Sequence, residues 1–153
     1  MTSVVEARTG RVLAWKDGIP LRYEYTVGVA GEAFLRGLKD GRILASKCTM
    51  CGEVRIPPRT YCLECGARTR IDVELLHLGR ISALSTSARK AFGFVAFAGV
   101  SGGIVHRLLY EGRLQPRMGD PVAPVFAPPG RRAGSILDLV GFRTAARRKR
   151  RND

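Results

Sequence analysis

Apolar positions fall along this chain in three regimes. Leu21, Tyr23, Tyr25 and Val27 alternate, which fits a short strand or an extended arm laying one face on something. From Ala30 the spacing changes: Ala30, Ala33, Phe34 and Leu38 fall at i, i+3, i+4 and i+8, one face of a helix, and Gly41 is a natural stop. The pattern predicts a helix over residues 30–40 within an N-terminal arm, 1–45, equally suited to packing on a partner and to covering its own core. Beyond Val73, short β-type runs at 73–77, 80–85, 93–98, 103–110, 121–126 and 135–142 are punctuated by turn residues such as Gly102-Gly103, Gly119-Asp120 and Pro128-Pro129-Gly130. Five or six short strands of this kind predict a small antiparallel barrel of the OB type over residues 71–143. The stretch 144–153 has no apolar face and is expected to be a disordered basic tail.

Between helix and barrel lies KCTMCGEVRIPPRTYCLECG, Lys47 to Gly66. Two Cys-x-x-Cys pairs, Cys48/Cys51 and Cys62/Cys65, stand ten residues apart. Two residues between thiolates let a tight turn aim both sulfurs at one ion while its amides hydrogen-bond them. Gly52 and Gly66 follow the pairs, where such a turn needs a positive φ. Residues 53–56 suit a short strand that Pro57 and Pro58 end. Two knuckles facing across a hairpin present four sulfurs, a zinc ribbon over 46–70, with iron the alternative metal and free or redox-active thiols the alternative state. A closed four-sulfur site is structural: it has no open position at which to activate water. The expected class is thus mainly β: helical arm, four-Cys zinc ribbon, small OB-fold barrel.

A chain of 153 residues is too short for a nucleotide-binding α/β sheet or a TIM barrel, which lowers the expectation of catalysis. Its 26 Lys and Arg against 13 Asp and Glu give a net charge of +13. Residues 143–153 account for +5, so the body still carries +8 and is suited to meeting anions, whether nucleic acid, a phosphorylated cofactor or an acidic protein. The start, MTSVVEAR, has neither the basic opening nor the apolar run of a signal peptide, and no run approaches membrane-spanning length, so the expected location is cytoplasmic.

Few groups suggest catalysis. Gly99-Val100-Ser101-Gly102-Gly103 fits G-x-S-x-G, but a glycine-rich hairpin loop explains it better, because the nucleophile elbow needs a strand, a helix and a late His. His77 and His106 sit in apolar runs and read as structural, and Asp72 with Glu74 as a solvated edge. Arg89, Lys90, Phe92, Phe94 and Phe97 mix cations with aromatics. Such a set stacks bases and holds phosphates, or accepts the adenine and pantetheine arm of coenzyme A, or partly fills the barrel core.

The order of these parts resembles a known family. Gly31-Glu32-Ala33-Phe34-Leu35, Gly41-Arg42-Ile43-Leu44, the Cys48/Cys51 pair, Pro57-Pro58-Arg59, the Cys62/Cys65 pair, Gly79-Arg80-Ile81 and Met118-Gly119-Asp120-Pro121-Val122 together look like the thiolase-associated family that joins a rubredoxin-like zinc ribbon to an OB fold. The resemblance implies a non-catalytic accessory subunit of an acyl-CoA enzyme. The expected partner is a thiolase-superfamily enzyme, with a bridge to 3-hydroxy-3-methylglutaryl-CoA (HMG-CoA) synthase in some members. It implies zinc on Cys48, Cys51, Cys62 and Cys65 and CoA or acyl-CoA shared with the partner; the family transfers no CoA contact, and the candidate contacts, taken from the mixture of cations and aromatics above, are Arg89, Lys90, Phe92 and Phe94. A nucleic-acid binding ribbon–barrel protein is the alternative.

Overall fold

The computed structural model describes the backbone of residues 3–6 and 13–16 and the whole of residues 24–75, 78–87, 90–110 and 115–144. Strands β1 (Ser3–Glu6) and β2 (Leu13–Lys16) form an antiparallel hairpin. Helix α1 spans Gly28–Asp40 and buries Phe34, Gly37 and Leu38, the face its apolar spacing predicted. It ends at Gly41, φ 78°, where Gly41 N–H donates to Leu38 O and Arg42 N–H to Gly37 O. Residues 24–27 are not a strand; the rest of the expected alternating arm lies outside the described residues.

The ribbon sheet follows, made of β3 (Leu44–Cys48), β4 (Val54–Ile56) and β5 (Thr69–Glu74). Strand β3 pairs antiparallel with both, Ser46 opposite Arg55 and Ala45 opposite Val73. Of the strand expected at 73–77, residues 73–74 belong to β5, which begins at 69 and joins the ribbon along the free edge of β3, and residues 76–77 lie outside the described residues. The boundary expected between residues 70 and 71 falls inside this strand. Asp72 and Glu74 share its exposed face, as expected of a solvated edge, beside Arg70 (3.4 Å) and Arg42 (3.9 Å) respectively. The Pro57-Pro58-Arg59 turn is tied inward by buried Ser46, whose hydroxyl accepts from Arg59 N–H at 3.1 Å.

Strands β6 (Gly79–Thr86), β7 (Ala91–Ala96), β9 (Ile104–Leu109), β10 (Pro121–Phe126) and β11 (Leu139–Thr144) close a barrel in the order β6-β7-β9-β11-β10 and back to β6. Only β9 and β11 run parallel, so the strand order and connectivity are those of an OB fold. Between β7 and β9 the two-residue strand β8 (Ser101–Gly102) leaves the barrel and pairs in parallel with β4. The G-x-S-x-G stretch is therefore a turn with a ribbon-bound strand inside it, not a plain hairpin loop.

The strand expected at 135–142 starts later. Residues 136–138 form a 3₁₀ turn, because the Asp138 carboxylate draws in the amides of Ala133 (3.0 Å), Gly134 (2.7 Å) and Ser135 (3.1 Å). Strand β11 then runs through Thr144, which pairs with Val122; residues 145–153 of the expected tail lie outside the described residues. One apolar cluster joins the units: Phe34 and Leu38 from α1, Ile43 just ahead of β3, Ile56 from β4, and Ile81, Val95, Leu108, Val122 and Phe142 from the barrel. No helix among the described residues is long and apolar enough to cross a membrane.

Candidate metal centre and binding face

Both knuckles form as the spacing requires. Cys48 ends β3 and Cys51 lies in the turn after it, and a second turn, held by a bridge between Tyr61 and Arg68, carries Cys62 and Cys65. Gly52 (φ 76°) and Gly66 (φ 72°) close them with open space around each missing Cβ, so it is the left-handed backbone that calls for glycine there. The amides of Met50 (3.4 Å) and Cys51 (3.5 Å) donate to Cys48 Sγ, and that of Glu64 (3.4 Å) to Cys62 Sγ.

All four sulfurs lie within 4.8 Å of one another, with Cys48–Cys65 at 3.5 Å, Cys51–Cys62 at 3.6 Å and Cys51–Cys65 at 3.7 Å. A tetrahedral zinc with bonds of about 2.3 Å needs sulfurs about 3.8 Å apart. The cluster therefore fits that ion, and four sulfurs leave it no open coordination position. The thiols differ: the Cys51 amide, with the Met50 amide and the Cys65 and Cys51 thiols, outweighs burial and lowers Cys48 to about 6. At Cys62 the Cys65 and Glu64 amides pull down, but burial, the Glu53 carboxylate and Cys51 outweigh them and push the thiol up to about 12. Glu53 accepts from Cys62 Sγ at 3.1 Å, an interaction that, with Ser101 and Arg55, holds its carboxyl below the usual range despite burial. Arg55 bridges Glu53 and Glu64 (3.2 Å to the latter), a cation beside a centre that four thiolates and one zinc would leave at about −2.

On the barrel, β7 points Ala91, Gly93 and Val95 inward and Phe92 and Phe94 outward, so the two aromatics share a face as their spacing requires. Phe97 turns into the core, its ring 6.3 Å from Phe142. Phe92 stands opposite Arg107 of β9 and borders an open groove of about 520 Å³ that Val105, Leu137 and Val140 also line. Lys90 is exposed and does not line the groove, and Arg89 lies outside the described residues. His106 reaches the groove's floor edge-on to Phe142 at 6.4 Å; burial lowers its pKa, with Arg107 adding to the effect and a hydrogen bond to the Ile136 backbone opposing it. His77 lies outside the described residues. The alternation of Val105 and Arg107 on β9 was visible in the sequence, but their meeting with Leu137 and Val140 depends on a parallel strand pairing that no local pattern announces.

A closed four-sulfur ribbon built into the flank of an OB barrel defines a class of small, mainly β zinc-ribbon proteins. Within that class, residues 36–70 match the family model of the ChsH2 rubredoxin-like zinc ribbon domain, in agreement with the resemblance seen in the sequence. Two solved structures are similar over 80% of this chain. One is a Sulfolobus solfataricus protein of unknown function from the DUF35 family, 25% identical, matched over 87% of its length at a TM-score of 0.59. The other is a chain of the Ltp2–ChsH2(DUF35) aldolase, 16% identical, matched over 100% of its length at 0.61. No curated protein matches the chain in sequence.

Proposed function

We propose that this chain is an accessory subunit of an acyl-CoA enzyme of thiolase or aldolase type, with Cys48, Cys51, Cys62 and Cys65 holding a structural zinc. The observation that carries the reading is the pairing of a ribbon matching the ChsH2 domain with a barrel whose outer face holds an apolar groove edged by a cation. The likeness to a chain of the Ltp2–ChsH2(DUF35) aldolase supports it and brings carbon–carbon bond cleavage beside acyl transfer as the partner's chemistry.

In this reading the division of labour follows from the residues. Zinc supplies folding free energy to a segment too small to hold its hairpin alone. The knuckle tips expose Met50 and Leu63, 79% and 56% accessible, an apolar surface suited to a partner enzyme. The groove takes the apolar part of an acyl-CoA against Phe92, Val105 and Val140, and Arg107 pairs with a phosphate or carboxylate. Of the contacts expected from the sequence, this reading uses Phe92, which lines the groove, with Phe94 on the same face of β7; Lys90 does not line it.

Calorimetric titration of the zinc-loaded chain with acyl-CoA and with CoA tests this. Binding that weakens about tenfold or more in both Phe92→Ala and Arg107→Ala is the expected result; equal affinity in wild type and both variants would refute the groove assignment. One observation favours nucleic acid as a second reading: Phe92 beside Arg107 on a strand face that OB folds use for oligonucleotides, in a chain of net charge +13. It predicts oligonucleotide affinity that falls steeply with salt.

A further inference from the structure

We propose that β8 is a clamp linking metal occupancy of the ribbon to the binding face of the barrel, and that Ser101 and Gly102, which ligate nothing, help to set the affinity for zinc.

A series of neighbours leads from the sulfurs to the strands that carry the groove. The Glu53 carboxylate lies 3.1 Å from Cys62 Sγ, and the same carboxylate is hydrogen-bonded to the Ser101 side chain. Next to it β4 and β8 pair in parallel, Arg55 with Ser101 and Ile56 with Gly102. Gly102 (φ 85°) lies so close to β4 that a Cβ there would sit 2.0 Å from Ile56 O, so this approach admits glycine alone. One residue on, a Cβ at Gly103 would sit 2.6 Å from the Phe94 ring, which places that ring against the end of the clamp. Phe94 shares the outward face of β7 with Phe92 and stands opposite Val105 of β9, and both of these neighbours line the groove.

On its ribbon side β4 is held by β3, which carries Cys48, and on its inner side by Ile56 in the shared core. A ribbon of this size does not keep its hairpin without metal. When the hairpin loosens, β8 loses its sheet partner, and among the described residues this strand of two residues pairs with no other strand of the ribbon. Linkage makes the effect mutual: whatever loosens β8 from the barrel side must weaken zinc binding by the same factor. Groups that support metal ligands from one layer out carry about 10–100-fold in affinity.

The test needs no acyl ligand and stands apart from the function proposed above. Zinc affinity of the full chain is measured by competition with a chromophoric chelator for wild type, Ser101→Ala, Gly102→Ala and, as a control on the exposed first turn of α1, Val29→Ala. Both clamp variants are expected to bind zinc about tenfold or more weakly, with the control unchanged. Amide exchange on the wild type is the second measurement: removing zinc should release residues 101–103 while β10 and β11 stay protected. Zinc affinity within twofold of wild type in a folded Ser101→Ala protein, or residues 101–103 still protected in the metal-free chain, would overturn the proposal even if Gly102→Ala fails to fold.

Discussion

At the scale of single residues the molecule depends on a few groups whose partners can be named. Cys48 and Cys62 are the buried members of their pairs, so losing either removes a ligand and leaves a thiol-lined hole beneath the knuckles. Cys48→Ser and Cys62→Ser proteins should each lose their equivalent of zinc and the protection of the ribbon amides, measured by metal analysis and hydrogen exchange; a variant that kept both would contradict the structural role. Asp138 is a different kind of anchor. The amide of Ala133, with those of Gly134 and Ser135 and the Arg132 cation, outweighs burial and holds its carboxyl below the usual range. Because the folded state favours the ionised form, the stability this group contributes is present above its unfolded value of about 3.9 and is lost as pH falls through the lower folded value. The denaturant midpoint should therefore drop on acidification below about pH 4, and Asp138→Asn should lose stability at neutral pH and show a shallower acid dependence. The sequence marked the four cysteines unaided, since a thiolate pair with its glycine is a local pattern. It did not mark Asp138, whose role depends on three amides of a turn whose shape only tertiary packing sets.

Elements were legible where one periodicity governed them. Helix α1 has its predicted buried face at Phe34 and Leu38, and the runs at 80–85, 103–110 and 121–126 became β6, β9 and β10 within one or two residues. Other elements were shaped by partners that spacing does not reveal. Strand β5 is drawn toward β3, β11 is delayed by the Asp138 turn, and β8 exists only because β4 lies alongside it. Core packing within the barrel gives a test at this scale. Phe142 is fully buried on β11, with Phe97 and His106 against its ring. Phe142→Ala should cost about 3–5 kcal/mol in denaturant unfolding, and Val140→Ala, half exposed on the same strand, well under half of that.

Across the whole molecule, the apolar cluster that runs from α1 through the ribbon sheet into the barrel makes ribbon and barrel one packed body. Removing zinc should therefore lower the thermal stability of the barrel as well as the ribbon, seen as one calorimetric transition shifted down by a chelator; an unmoved barrel transition would show the two to be independent. The same body presents a groove on one strand face and exposed apolar knuckle tips on the ribbon, two surfaces that an accessory subunit would use for different tasks. That larger claim is tested most directly by recovering the tagged full chain from the cells that make it, after a high-salt wash that strips loose polyanions. The expected result is co-purification of a thiolase-superfamily enzyme whose acyl-CoA turnover falls when this chain is removed and returns when it is restored. Recovery of nucleic acid without such an enzyme, or an enzyme indifferent to the chain's presence, would contradict it.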